Sequence, residues 1–395
     1  MLVLNAVTGA LRRLPAEVWA LGFVSLLTDA ASDMIYPLLP ALLASVGGGA
    51  LALGAVEGAA ELTASLVKAW AGRWADRRGG HGRLVVGGYA LATVARPLLA
   101  LITAPWQAAL LRSLDRFGKG IRSAPRDAIL ARVVPNESRG LAFGLHRAMD
   151  NAGAVLGPLL ATLLLVGLHL PLRTVIALAI VPGVLSTGLA VYAVRAHRAV
   201  APVAPVARAA APLPRDARTL LVAVACYALG ASADSFLLLR LTKLGMPLPL
   251  VPIAWLSLQA GKSLLNVPGG ALADRLGPRR VLLASWLVYV ASYAAFALAP
   301  SWPSFWAVFA VYAAHYGLGE GAEKSLLARL VPESARGTAF GLQLAVHGAA
   351  LLPANLLFGF LYDQHATLAF GLSAAFARAG AVVLACGLRE PRLTT

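Results

Sequence analysis

The segment LLRSLDRFGKGIRSAPRDAIL, residues 110–130, sets five cations and two carboxylates into an otherwise apolar region. Placed on a helix at 100° per residue, Arg112, Asp115, Arg116, Lys119, Arg122, Arg126 and Asp127 fall within an arc of about 140°. Leu110, Leu111, Leu114, Phe117, Ile121, Ala124 and Ala128 take the other side. From Arg112 to Arg126 such a helix rises about 21 Å, most of the thickness of a bilayer core, and Pro125 is expected to kink it. Facing lipid, each ion would cost about 2.5–3.5 kcal/mol, so the stripe must face water or protein. Three arrangements meet that requirement. The cations pair structurally with acids on neighbouring helices; or Arg112, Arg116, Lys119 and Arg122 also bind an anionic or zwitterionic small molecule; or the segment lies flat on the membrane surface as an amphipathic helix.

Acids able to answer these cations lie at intervals along the chain. Asp29 and Asp33 are one turn apart in the first apolar block, and so are Glu57 and Glu61 in the second. Asp150, Asp234, Glu320 and Glu323 sit in later blocks. A carboxyl that passes between an apolar setting and a cation can take up and release a proton. Asp33 is the first candidate for proton coupling, with Asp29 and Asp234 behind it. Arg147, beside His146, is a weaker substrate contact. His146, His315 and His347 suit a transition metal only in combination with such acids. No HxxxH spacing supports one and the cations would repel it, so no metal is expected. Without a GxSxG or HExxH signature, neither an enzyme nor a cofactor is expected. Cys226 and Cys386 have no metal spacing and read as small core residues.

The elements that must position these groups are membrane helices. Of the 395 residues, 59% are hydrophobic and 13% charged, and the mean hydropathy is +0.73. About twelve apolar blocks are long enough to span a bilayer, centred near Thr28, Leu62, Leu91, Lys119, Leu156, Val181, Ala231, Leu258, Val288, Leu318, Leu351 and Ala377. Lipid requires each backbone amide to be satisfied within its segment, and the blocks are too long and uniformly apolar for barrel strands. The fold class is therefore all-α integral membrane. If the helices alternate, the basic stretches GRWADRRGGHGR, RAHRAVAPVAPVARAAAPLPRDAR and DRLGPRR share one side with both termini, and that side is cytoplasmic. The inner membrane of a cell is the expected location. The net charge of +16 follows from this rule, so no nucleic-acid partner is inferred.

The chain also repeats. AILARVVPNESRGLAFGL (128–145) matches SLLARLVPESARGTAFGL (325–342) without a gap, and GRWADRRG matches GALADRLG at about the same offset. This predicts two pseudo-symmetric six-helix bundles, residues 1–194 and 218–395, joined by a cytoplasmic linker at 195–217. In the repeat, Arg126 and Asp127 align with Glu323 and Lys324, so the charges reverse between copies. Ion pairs between the bundles are expected there.

Gly72, Asp76, Arg77 and Gly79, repeated as Gly270, Asp274, Arg275, Gly277, Arg279 and Arg280, resemble the signature loop of the major facilitator superfamily. GAVLGP, with Gly153, Gly157 and Pro158, resembles that family's antiporter motif, which points to a prokaryotic efflux type. The resemblance implies the twelve-helix fold, a conformational latch at the two loops, and alternating access around a midplane site. Read together, the features predict a monomeric secondary transporter with lipid, a small-molecule substrate and protons as its partners. Export of a small organic anion or zwitterion is the expectation, with efflux of cationic drugs or a transition-metal ion as the alternative.

Overall fold

The computed structural model describes residues 14–78, 81–134, 139–196, 213–332 and 336–388. All regular structure among them is helical. Helices α1 (Ala16–Ile35) and α2 (Leu39–Ala44) form the first span, joined by a tight turn at Tyr36–Leu38. α3 (Ala50–Arg78), α4 (His81–Leu98) and α5 (Pro105–Val133) are the second to fourth. α6 (Arg139–Thr162), widened at Leu163–Gly167, is the fifth, and α7 (Leu172–Leu178) with α8 (Ile180–Ala196) the sixth. α9 (Arg215–Gly230) and α10 (Ser235–Lys243) make the seventh span. α11 (Val251–Leu276), α12 (Pro278–Leu298), α13 (Trp302–Leu330), α14 (Arg336–Gln364) and α15 (Ala366–Gly387) complete the twelve. Every expected centre lies within a helix except Ala231, which opens the break between α9 and α10.

Ten of these spans are long and apolar enough to cross a membrane by composition. The other two, α5 and α13, are each 29 residues long. At about 1.5 Å per residue that length exceeds a bilayer core. α5 carries the charged stripe, and the two are the fourth helix of each half.

Besides the sixth, divided at Ala179, two spans are broken, for different reasons. In the first, Pro37 cannot donate the N–H that would return to the Asp33 carbonyl, so the helix tightens into the turn at Tyr36–Leu38 beside that residue. In the seventh, side chains take over the backbone groups that the break at 231–234 releases. Tyr289 Oη donates to the Gly230 carbonyl at 2.9 Å, and the Ala233 N–H donates to Asn355 Oδ1 at 2.7 Å. Ser232 Oγ bonds Tyr293 Oη at 2.8 Å. A membrane helix stays open only where such partners exist.

The chain forms two compact units. Unit 1 comprises Met1–Tyr36, Leu66–Ile102 and Leu111–Pro205, and unit 2 comprises Pro37–Ser65, Thr103–Leu110 and Val206–Thr395. The core of unit 1 is aliphatic, with Val18, Leu21, Val24, Val85, Ile129 and Leu130 packed round Tyr89. That of unit 2 is aromatic: Tyr289, Tyr293, Phe296, Phe309 and Phe370 are buried and touch as stacked, tilted or edge-on rings, and the buried Trp286 stacks on Tyr227. Within unit 2, Asp363 near the end of α14 caps the start of α3. Its Oδ1 accepts from the Ala50 N–H at 3.0 Å and its Oδ2 from the Leu51 N–H at 2.9 Å.

Candidate functional site

The charged stripe of α5 lies in unit 1, and its members occupy different environments. Arg112 and Asp115 are each 1% exposed and Arg122 is 3% exposed, whereas Arg116 is half-buried and Lys119 exposed. Asp115 is the anchor. Its Oδ1 lies 3.0 Å from Nε of Arg96 on α4, and its Oδ2 lies 3.4 Å from Arg112. Arg96 also donates to the Thr28 carbonyl of α1 at 2.9 Å, so one buried carboxylate ties α1, α4 and α5 together. The Arg112 guanidinium sits 5.6 Å from the Tyr36 ring centre, at the tight turn. Arg122 lies 4.5 Å from the ring centre of Tyr89 and donates to the Gly88 carbonyl at 3.3 Å. Delocalised and weakly hydrated, a guanidinium tolerates such flat, partly apolar settings better than an ammonium does.

Asp29 lies within electrostatic reach of Lys119, Arg122, Arg96 and Asp150. Asp150 accepts a short hydrogen bond from Ser25 Oγ and lies 3.7 Å from His146 Nδ1 and 4.0 Å from Arg147. Asp33 is half-buried on α1. Its backbone is fixed by the antiporter-like motif: a Cβ on Gly157 would press on Ala30, Asp33 and Met34, and one on Gly153 would overlap the Leu26 backbone. The missing side chains thus let α6 lie directly against the stretch of α1 that carries both acids. Pro158 follows within the same helix.

Arg126 Nη2 meets Asp127 at 2.9 Å, and Nη1 donates to Ser25 Oγ at 3.3 Å. In unit 2, Glu323 accepts a short hydrogen bond from Gln343, and Lys324 pairs with Glu320 at 3.0 Å. Each of the four charge-reversed residues therefore has a partner in its own unit. In the second signature loop, Asp274 lies 3.7 Å from Arg329. Gly277 takes φ +92°, a conformation that favours glycine, at the junction of α11 and α12. Gly270 has open space where a Cβ would stand, and Arg275 is exposed. In the first loop, Gly79 and the side chains of Asp76 and Arg77 lie outside the described residues, as does the surround of Gly72.

Unit 2 holds a second polar cluster, at the break of the seventh span. Asp234 is 8% exposed. Its Oδ1 accepts from Tyr312 Oη at 2.9 Å and Tyr316 Oη at 3.0 Å, and its Oδ2 lies 2.8 Å from Lys262 Nζ of α11. Lys262 Nζ also stands 3.6 Å from the ring centre of Tyr316 and 5.2 Å from that of Trp255. His315 lies beneath this cluster, with Nε2 2.8 Å from Tyr227 Oη and Nδ1 2.9 Å from Ser285 Oγ, so both nitrogens are engaged. Among the described residues, no three His, Cys, Asp or Glu side chains are arranged to hold a metal ion.

Sequence reasoning singled out Asp115, the stripe, Asp29 and Asp234, but it missed Arg96, Lys262, Tyr312 and Tyr316. The available signal was the solitary cation: Arg96 and Lys262 are each isolated charges in otherwise apolar spans, the pattern that marks an interior partner.

The profile of the Major Facilitator Superfamily matches residues 21–260 and again 220–394. An uncharacterized MFS-type transporter of Methanocaldococcus jannaschii is 33% identical over 366 residues, covering 91% of this chain and 92% of that protein. The multidrug resistance protein MdtH of Photorhabdus laumondii is 29% identical over 144 residues, 36% of each chain. Among solved structures, that of the nucleoside transporter NupG superposes with a TM-score of 0.73 at 14% identity, over 94% of this chain and 98% of that one.

Proposed function

The chain belongs to the major facilitator superfamily and is a membrane transporter, and from that premise we propose that it exports a small organic anion or zwitterion by proton-coupled alternating access. The observation that carries this reading is the excess of positive charge inside unit 1. Arg96, Arg112, Arg116, Lys119 and Arg122 stand against Asp115, Asp29, Asp33 and Asp150, and Arg96, Arg112 and Arg122 are almost wholly buried. The field of the buried guanidiniums extends to the half-buried Arg116 and the exposed Lys119, where it attracts an arriving carboxylate or phosphate. Arg112 and Arg122 are fixed by Asp115, Tyr36 and Tyr89, so they set the field; the more accessible Arg116 and Lys119 touch the cargo. Export is supported by the antiporter-like motif and by the MdtH likeness, since that protein is named for drug resistance.

Asp33 carries the proton. Exchange requires proton and cargo to compete for one carboxyl, and electrostatics decides which cargoes can do so. Protonating Asp33 strengthens the positive field, so a pure anion would load together with the proton. The ammonium of a zwitterion would instead displace it, which makes the zwitterion the better exchanger. The two signature loops, Asp76 with Arg77 and Asp274 with Arg275, act as the cytoplasmic latch of the transport cycle, and Arg126, Asp127, Glu323 and Lys324 rearrange with it. The protein works as a monomer in the inner membrane, with both termini cytoplasmic.

Flux from proteoliposomes under an imposed pH gradient tests the reading. Acceleration of zwitterion efflux by an inward proton gradient, lost in Arg116→Ala and Asp33→Asn, is the expected result; an anion that loads together with the proton would be accelerated outward only by the opposite gradient. Acceleration of cationic drugs or metal ions alone would replace it with the competing reading.

A further inference from the structure

The break of the seventh span encloses a caged cation. Lys262 Nζ lies between the Asp234 carboxylate at 2.8 Å and the face of Tyr316 at 3.6 Å, with Trp255 beyond. A carboxylate beside aromatic faces is a general receptor for ammonium groups. Here the chain's own lysine fills it. Lys262 is not needed to hold the break open, because Tyr289 and Asn355 satisfy backbone groups there and Tyr293 holds the Ser232 hydroxyl. Nor is it sealed in, since its side chain is 17% exposed. Tyr312 and Tyr316 would still orient Asp234 if the ammonium left.

We propose that Asp234, Tyr316, Trp255 and Lys262 form a charge-balanced receptor for a small zwitterion, in which Lys262 is a tethered stand-in for the cargo. The ammonium of the cargo replaces Nζ between Asp234 and the Tyr316 ring, and the displaced Nζ takes the carboxylate or phosphate of the cargo. An amine alone would strand Lys262 beside a second cation, and an anion alone would strip Asp234. Only a molecule with both signs leaves every buried charge matched. No proton is consumed at this pair. The inference rests on the export reading above and narrows its cargo to the zwitterion; occupancy here and occupancy at Arg116, Lys119 and Asp33 are successive steps, never simultaneous.

The test is isothermal titration of the full-length protein in lipid nanodiscs with β-alanine, γ-aminobutyrate and δ-aminovalerate, beside the alkylamine and carboxylate matched to each. One or more of the zwitterions should bind at least about tenfold tighter than either of its halves. Asp234→Asn and Lys262→Gln should each weaken that binding by about tenfold or more and lower Tm. The double variant D234N/K262Q, which leaves no buried charge alone, should recover Tm without recovering binding. A purely structural ion pair would instead let the double variant bind as the wild type does, and that result overturns the proposal. Failure of all three zwitterions to bind overturns it too, as does tight binding of the carboxylates alone that grows as pH falls and is mimicked by Asp234→Asn. Flux keeps the two readings apart. If pH-driven efflux survives in the double variant but is lost in Arg116→Ala, this site falls and the export reading stands. If efflux ignores both the gradient and Arg116→Ala, the export reading falls.

Discussion

Asp115 shows how one residue sets the character of a membrane interior. It is 1% exposed and bridges Arg96 and Arg112, while Arg96 reaches the α1 backbone. Asp115→Asn keeps the shape but takes away the charge that both guanidiniums share. Loss of about 3–5 kcal/mol is expected, the usual cost of breaking a buried pair, read as a drop in the detergent melting temperature. Adding Arg96→Gln should return part of it, because fewer cations are then left over. Equal melting of Asp115→Asn and wild type would show that the triad holds nothing together. Lys119→Ala should behave in the opposite way. Lys119 is exposed, so the protein should melt as the wild type does while efflux falls. A fall in stability with flux intact would move Lys119 from the cargo site into the scaffold. The sequence already distinguished these residues as a group, because their helical arc excluded lipid. It could not rank them, since burial depends on which neighbours close over each side chain, and the rings of Tyr36 and Tyr89 come from other helices.

Among the elements, the contact of α1 with α6 governs where the acids stand. Gly153 and Gly157 bring the two backbones together alongside Asp29 and Asp33. Even Gly157→Ala places a methyl group against the Ala30 carbonyl and the Asp33 backbone, so α6 must shift outward. The expected cost is about 1–3 kcal/mol, as for overpacking elsewhere, with a larger loss of flux because the acids move too. Gly144→Ala on the same helix is the control, since nothing lies within 4 Å of a Cβ there. Identical flux in the two variants would mean the motif is ordinary packing. The elements themselves were mostly legible. Apolar length revealed all twelve, although the fourth and tenth helices fall below the apolar threshold that the other ten meet. The tight turn after Asp33 has its own marker in Pro37. The gap at 231–234 has none: it contains no proline, and the groups that support it, Tyr289, Tyr293 and Asn355, lie on α12 and α14. Tertiary partners create that break, so local sequence is silent about it.

At the scale of the whole molecule, the repeat divides the chain at the linker, whereas the compact units do not follow that division, because unit 2 gathers Pro37–Ser65 and Thr103–Leu110 with the second half. Repeats record ancestry along the chain, while compactness records which helix ends pack together, and packing leaves no periodic signal to read. The transport cycle nevertheless has a property that depends on charge alone. If one proton enters for each zwitterion that leaves, one positive charge crosses inward per cycle. A membrane potential of about 100 mV, negative inside, then adds about 2.3 kcal/mol of driving force per charge, or about a fiftyfold change in the steady-state gradient of cargo. A monoanion exchanged for one proton would move two charges and respond to about twice that energy. A monovalent cation exchanged for one proton would move none. Imposing a potassium diffusion potential on proteoliposomes, with pH clamped equal on both sides, therefore reads the charge class of the cargo without knowing its identity. A zwitterion gradient that shifts about fiftyfold is the expected outcome. An electroneutral response would overturn zwitterion exchange, leaving either a cation exchanged for the proton at the acids or an anion that loads together with the proton at the stripe.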